Sequence, residues 1–468
     1  MTLVSLSHGF FILFFAYFSL VMSYYLFLGL MALLESYRRR KQDDSEEPGV
    51  FFVSTFSIPV TVLVPAHNEE VWIKDVVQAI LKLNYPEFEV IVIDDGSTDG
   101  TMAALRDLLD LDSVHQPYID EFDAGRIKGI YRSRRHPQVR VLSKEGGQKK
   151  AGALNAGLNL ARYKYICVID ADTILEPDAL LKVMTQVQKD PENIAGVGSY
   201  FGLLNGFEVK DGVIVSRNFT KKPLIAYQNL EYIRSFIGNR ISWSRMKATP
   251  FIAGGFAVWR RDVVVSSGGF SPDYSSEDVE FSFRVRECGK RAGQEYKLLM
   301  LPYVMGWTLG PSTVGSFILQ RNRWQRVANE AVSKYSHMIF NPRYGAFGCF
   351  TLPYFLFYEV LGGFFELASL LIVITGFVFG FLSFKVFSTF LVFVLISQAF
   401  ISLLSLFIFY RQTRLLTPGM IFYLGALSIL EFFWYRWIIL FAKLQGSFAF
   451  LARIRTFDQF VRLHKDAC

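Results

Sequence analysis

Phe88-Glu-Val-Ile-Val-Ile-Asp-Asp-Gly-Ser97 sets a short run of β-branched residues directly against an acidic turn. Such a run, apolar on both faces and closed by polar residues, is the pattern of a strand buried in a parallel sheet. Two more runs repeat it, Val60-Thr-Val-Leu-Val64 and Tyr165-Ile-Cys-Val-Ile169, the second followed by Asp170-Ala171-Asp172. Amphipathic stretches such as Val71 to Leu83 lie between them. Strand and helix patterns alternate from Ile58 to about Pro311, which predicts a doubly wound α/β domain. His115 to His136 reads as a polar surface insertion, and Asn205-Gly206 and Asp211-Gly212 read as hairpin turns.

Half of the 468 residues are hydrophobic, 46 are phenylalanine, and the formal charge is +7. That much apolar surface calls for a bilayer, and no basic block argues for nucleic acid. Cys167, Cys288, Cys349 and Cys468 are scattered and read as reduced thiols, with no disulfide or zinc framework. Phe10 to Leu34 is long enough to span a membrane, and Arg38, Arg39, Arg40 and Lys41 place its far end in the cytoplasm. After Gly345 an interfacial helix broken near Pro353 is expected, then a span from about Leu361 and a clear span over Phe387 to Tyr410. Met420 to Leu440 is interrupted by Glu431 and Arg436, which line a polar path or mark where the segment leaves the bilayer. A tail carrying Lys443, Arg453, Arg455, Arg462 and Lys465 favours the cytoplasm, whereas three spans after a cytoplasmic domain would leave it outside.

Chemistry concentrates in a few places. In an open parallel sheet ligands bind at the carboxyl ends of strands, so Asp94, Asp95, Asp170 and Asp172 can face one crevice. Carboxylates crowded there repel unless a cation sits among them, and Mg²⁺ or Mn²⁺ bound by one or two of them completes its shell on phosphates. Such an ion would make a diphosphate a good leaving group. Ser276-Glu277-Asp278 offers a base for an attacking hydroxyl as well as an ordinary helix start, and the two readings are compatible. Gln320-Arg321-Asn322-Arg323-Trp324 supplies an arginine that can grip phosphate and an indole that can stack on a sugar, or an interfacial anchor. Lys149 and Lys150 precede a small-residue run, and Ala253-Gly254-Gly255-Phe256 lets backbone approach a ligand closely.

In this order the motifs resemble the processive, membrane-embedded family 2 glycosyltransferases, the group of cellulose, hyaluronan, chitin-oligosaccharide and poly-N-acetylglucosamine synthases. The resemblance runs from about Pro59 to Glu330 and rests on Pro65-Ala66-His67-Asn68-Glu69, Asp94-Asp95-Gly96, Asp170-Ala171-Asp172, Glu277-Asp278 and Gln320-x-x-Arg323-Trp324. It implies a cytoplasmic GT-A (Rossmann-like) domain, interfacial amphipathic helices and a multi-span transmembrane region in a bacterial inner or plasma membrane. It implies an inverting enzyme that takes UDP-N-acetylglucosamine or UDP-glucose, with Mg²⁺ or Mn²⁺, and extends and exports a β-linked polysaccharide. By motif, Pro65, His67, Glu69 and Asp94 or Asp95 would hold the uridine, and Asp170 the diphosphate. Asp172 would meet the metal and Asp278 would be the base. Lys150, Glu277 and Gln320 would line the substrate, Arg323 would grip the diphosphate, and Trp324 would stack on the acceptor sugar.

Ser276 replaces the family's threonine, His67 stands where some members have tyrosine, and Thr308-Leu309-Gly310-Pro311 lacks an acid that many carry. No PilZ-like Arg-x-x-x-Arg module follows the membrane region, so accessory subunits are expected to carry any cyclic-di-GMP control. The expected segments are an anchor over 1–36, a linker over 37–57 and the GT-A domain over 58–311. Interfacial helices over 312–359, spans over 360–441 and a basic tail over 442–468 follow. The competing reading is a non-processive enzyme that glycosylates a lipid, and a third is a receptor or scaffold with a dead transferase domain.

Overall fold

The computed structural model describes residues 3–45, 57–118, 120–380 and 382–453. The linker residues 46–56 and the tail positions Arg455, Arg462, Lys465 and Cys468 lie outside them. The chain divides into two compact units, and each is visited more than once.

One unit carries the sheet and spans 42–220 and 247–310 among its described parts. Its strands are β1 (Val60–Ala66), β2 (Phe88–Asp95), β3 (Leu111–Ser113), β4 (Ile127–Ser133), β5 (Val139–Lys144), β6 (Tyr165–Ile169), β7 (Ile174–Leu175), β8 (Ile194–Leu203), β9 (Phe207–Lys210), β10 (Val213–Arg217), β11 (Phe256–Arg260) and β12 (Lys297–Thr308). Ten of them form one sheet in the order β3-β4-β5-β2-β1-β6-β11-β8-β12-β7. The core β5-β2-β1-β6 is parallel, as the unbroken apolar runs require. The doubly wound expectation holds only for that core, because β11 runs antiparallel to both neighbours and β4 antiparallel to β5. The result is the mixed sheet with flanking helices typical of a GT-A fold.

A carboxylate buried inside this sheet has partners on both neighbouring strands. Glu89 on β2 accepts a hydrogen bond from Thr61 at 2.7 Å and pairs with Arg140 on β5, so the carboxylate is neutralised where it is buried. His115 to His136 is more than an insertion, since its second half forms β4 in the sheet. Asp211-Gly212 does turn a hairpin, between β9 and β10. Gly212 has φ +73° there, and a Cβ would lie 2.4 Å from the Ala79 nitrogen, so only glycine fits. Asn205-Gly206 makes a bend and no hairpin, because β9 pairs only with β10.

The other unit gathers 1–41, 221–246 and 311–460 among its described parts. Sequence kept 221–246 inside the 58–311 domain, but the helix Pro223–Tyr232 and the π-helix Ile233–Arg240 cluster with the apolar helices. The first helix runs from Leu3 to Ser45, well into the stretch expected to be linker. Among the described residues two helices are long and apolar enough to cross a membrane, Phe15–Lys41 and Phe384–Thr413. Ile396, Phe400, Leu403 and Phe407 form an exposed stripe on the second, while Ser402, Ser405 and Phe409 are buried, as expected of a lipid-facing helix packed through small residues.

Two further pairs pass only if each bent pair counts as one span, bringing the total to four at most. Phe347–Val360 meets Gly362–Val378 at 50°, so the break falls at Leu361 and not near Pro353. Pro353 is carried through by π-helical turns on either side, whose altered bonding absorbs a residue with no N–H. Pro418–Phe433 meets Tyr435–Leu451 at 54° beside Trp434. Glu431 and Arg436 do not pair with each other: Glu431 binds Arg234 at 2.8 Å, and Arg436 binds Glu366. Each charge in this apolar setting therefore has its own counter-ion.

Candidate functional site

The parallel core brings its acidic turns together. β2 and β5 are in register with Asp94 opposite Ser143 and Asp95 opposite Lys144. Ser143 donates to Asp94 Oδ2 at 2.9 Å, and Lys144 donates to Asp95 Oδ1 at 2.6 Å. Lys144 is completely buried, so it anchors Asp95 from inside the sheet. Sequence reading missed it; the signal was a lysine ending a six-residue strand that mixes valine and leucine with polar residues. His67 Nδ1 lies 2.8 Å from the Asp95 carbonyl, which can only accept, so this nitrogen carries the proton. Asn68 then sits at φ +58°, turning the chain after β1, with Glu69 buried behind it and Pro65 partly exposed on the strand. Pro65, His67, Asp94 and Asp95 thus share one end of adjacent strands.

At the end of β6 a second cluster forms. Lys150, at the start of the helix Lys149–Leu160, lies 2.6 Å from Asp170 Oδ1 and 2.9 Å from Glu277 Oε1. Burial alone would lower the Lys150 ammonium, but the Asp170 and Glu277 carboxylates outweigh it and hold the group above its usual value. It also donates to the Gly254 carbonyl at 3.1 Å. The Gly254 N–H in turn donates to Asp278 Oδ2 at 3.0 Å. Asp278 Oδ1 accepts from the Ser276 hydroxyl at 2.8 Å and from the Val279 N–H at 2.9 Å. The helix Glu277–Arg291 starts here with Glu277, Asp278 and Glu280 in its first turn, where the helix dipole favours anions. The backbone of one glycine therefore ties the lysine to the aspartate, and both remain partly open to solvent.

Asp172 is buried at the same strand end and accepts a hydrogen bond from Thr308 at 3.2 Å. Among the described residues no group of three or more His, Cys, Asp or Glu side chains forms a closed metal cage. Asp170 and Asp172 supply two carboxylates, which suits a hard divalent cation that takes its remaining ligands from phosphate and water. The lysine held between Asp170 and Glu277 shows that this spot already accommodates positive charge.

In the helix-rich unit the Gln320–Trp324 segment lies on the helix Val314–Lys334, capped by Thr313 accepting from the Ser316 N–H. Arg323 and Trp324 are exposed and Gln320 is half-buried, while Arg321 and Asn322 point inward. Arg321, at a position the Gln-x-x-Arg-Trp pattern leaves open, pairs with Glu231 at 2.8 Å.

Comparison with known proteins bears on the same residues. The family model for glycosyl transferase family 2 matches residues 61–265. A poly-beta-1,6-N-acetyl-D-glucosamine synthase from Staphylococcus epidermidis is 26% identical over 275 residues, 58% of this chain and 55% of that protein. The enzyme of the same description from Staphylococcus aureus strain COL is equally similar. The chain spans about half the length of the curated relatives it matches. A mannosyltransferase from Pyrobaculum calidifontis, solved with GDP-Man and Mn²⁺, aligns over 92% of this chain and 100% of its own at 16% identity and a TM-score of 0.49. The model for glycosyl transferase family group 2 matches residues 165–411, more than half of the 468, and the protein is an enzyme that belongs to that family.

Proposed function

We propose that the protein transfers a sugar, with inversion, from a UDP-sugar to a lipid-borne acceptor at the membrane surface. The observation that carries the reading is the Gly254 backbone, whose carbonyl binds Lys150 and whose N–H binds Asp278. It sets a cation suited to phosphate at a fixed spacing from a carboxylate suited to a hydroxyl proton. In the reaction an acceptor hydroxyl attacks the anomeric carbon, the bond from that carbon to the diphosphate oxygen breaks, and Asp278 takes the proton as UDP departs. Pro65, His67, Glu69, Asp94 and Asp95 hold the uridine, with Lys144 keeping Asp95 in place. Lys150, Asp170 and Glu277 face the diphosphate. Asp172, with Asp170, would hold Mg²⁺ or Mn²⁺, which when bound neutralises the leaving diphosphate. Gln320 and Arg323 serve the substrate, and Trp324 stacks on the acceptor sugar.

Support for a lipid-borne acceptor comes from the helix-rich unit. The helix bearing Arg323 and Trp324 belongs to the same unit as the membrane-spanning candidates. Glu431, Arg436 and Lys443 are each bound to a partner of opposite charge, which favours a packed bundle. The second reading, synthesis and export of a β-linked polysaccharide, is favoured by the Staphylococcus relatives named for such a polymer. A cytoplasmic catalytic unit is part of both.

The test is UDP release by purified protein with Mg²⁺ or Mn²⁺ against a panel of UDP-sugars, with membrane lipid present and the product sized. A single lipid-extractable glycoside is expected, lost by roughly a hundredfold or more in Asp278→Asn. A ladder of lengthening products would establish the polymer reading instead. Release unaffected by Asp278→Asn would remove Asp278 as base.

A further inference from the structure

Arg321 occupies a position that the Gln-x-x-Arg-Trp pattern leaves open, yet it is the most heavily engaged side chain of the segment. It is only 5% exposed. One terminal nitrogen donates to Glu231 at 2.8 Å, and the other donates to Gln320 Oε1 at 3.0 Å. Its guanidinium carbon lies 4.0 Å from the centre of the Trp324 ring and 4.5 Å from that of Phe317. Glu231 is itself fixed by the Tyr435 hydroxyl at 2.6 Å. The Tyr232 ring approaches Trp324 to 6.3 Å at an angle of 32°. All these residues belong to the helix-rich unit.

A long cationic side chain on a helix normally reaches for water, and burying it costs free energy unless it is paired and bonded. Here the arginine is buried, and its two terminal nitrogens donate to one carboxylate and one amide. The guanidinium also lies over two rings, Phe317 and the indole of Trp324, and the indole is 39% exposed. A guanidinium three residues before a tryptophan lies one helical turn from it, the spacing at which side chains meet. A cation–π contact strengthens when the cation is desolvated, as Arg321 is here. It favours one indole orientation, with one ring face covered by the cation.

We infer that Arg321, clamped by Glu231 and Tyr435, is a positioning residue that fixes Gln320 and the Trp324 ring for the acceptor sugar. This rests on the reading of Trp324 as the acceptor's stacking partner. Arg323, beside it and exposed, stays available for phosphate. Lysine would not substitute, since one ammonium lacks the planar fork that reaches glutamate, glutamine and indole together.

The experiment uses the full chain in detergent, with UDP-N-acetylglucosamine as donor and octyl β-N-acetylglucosaminide as acceptor. Four variants are compared with the parent: Glu231→Gln, Arg321→Lys, Trp324→Ala, and Glu231→Gln combined with Trp324→Ala. Glu231→Gln and Arg321→Lys are expected to raise the acceptor KM by roughly three- to thirtyfold. The donor KM and the acceptor-independent release of UDP should stay as in the parent. In the Trp324→Ala background Glu231→Gln should add much less than it does alone, because only the Gln320 contact is left to lose. Equal rises in both KM values, additive losses, or variants that aggregate would assign the cluster to helix packing and overturn the inference. An acceptor KM unchanged in Trp324→Ala, or no transfer by the parent, would overturn the acceptor reading itself. An altered KM in Trp324→Ala with normal values in the other two single variants would sink the inference alone.

Discussion

At the scale of residues the site depends on close approaches. A Cβ on Gly254 would lie 2.8 Å from Lys150 Nζ and 2.9 Å from Glu277 Oε1. Both atoms are ends of flexible side chains, so alanine there would displace the lysine from its carboxylates without unfolding the unit. Gly254→Ala should lower kcat/KM by about a hundredfold, the usual order for a misplacement near 1 Å, and leave the thermal midpoint almost unchanged. Steady-state UDP release beside a melting curve checks both halves. The placement of Asp94, Asp95, Asp170 and Asp172 was legible in the sequence, because they follow strand runs directly and the topology rule aligns strand ends. Lys144 and Arg321 were not. Their partners are Asp95, 49 residues away, and Glu231, 90 residues away, and no local pattern announces a pairing over that distance.

Elements show a similar division. The apolar runs of β1, β2 and β6 declared a buried parallel core, whereas the antiparallel β11 did not declare its direction. Strand direction is set by which neighbour the chain returns to, and composition does not encode it. Among the helices, the expected break at Pro353 lay instead at Leu361, since proline can be absorbed when the local turn widens. The helix Tyr435–Leu451 passes close to Val314–Lys334 at Gly446, where a Cβ would lie 2.6 Å from the Asn322 carbonyl oxygen and 2.8 Å from Gln325 Cβ. A carbonyl in a helix cannot swing away, so Gly446→Val should force the two helices apart at a cost of about 1–3 kcal/mol. Thermal unfolding in detergent should show a lowered midpoint. Gly419→Ala, with nothing within 4 Å of the added carbon, serves as the neutral control.

For the whole molecule, the positive charge after the first span fixes an expectation of sidedness. Arg38, Arg39, Arg40 and Lys41 follow the apolar stretch immediately and favour the cytoplasmic face, which would put the sheet-bearing unit there too. Cys288, partly exposed on the helix Glu277–Arg291, reports on it. With Cys349 and Cys468 replaced by serine, a membrane-impermeant maleimide should label inside-out vesicles and spare right-side-out ones. The reverse pattern would invert the assignment. The departure at 221–246 was not legible in the sequence. That stretch is apolar in patches yet broken by Glu231, Arg234 and Arg240, and read like any helix of a soluble domain.

The sheet order has a consequence for biosynthesis. β12 lies between β8 and β7, although β8 ends at Leu203 and β12 begins only at Lys297. At about 5–20 residues per second, a ribosome takes on the order of ten seconds to supply the missing strand. During that interval β8 has an unpaired flank while 221–246, destined for the other unit, has already emerged. A nascent chain held in this state is the form that chaperones and proteases meet, and slowing translation within residues 204–296 would lengthen its exposure.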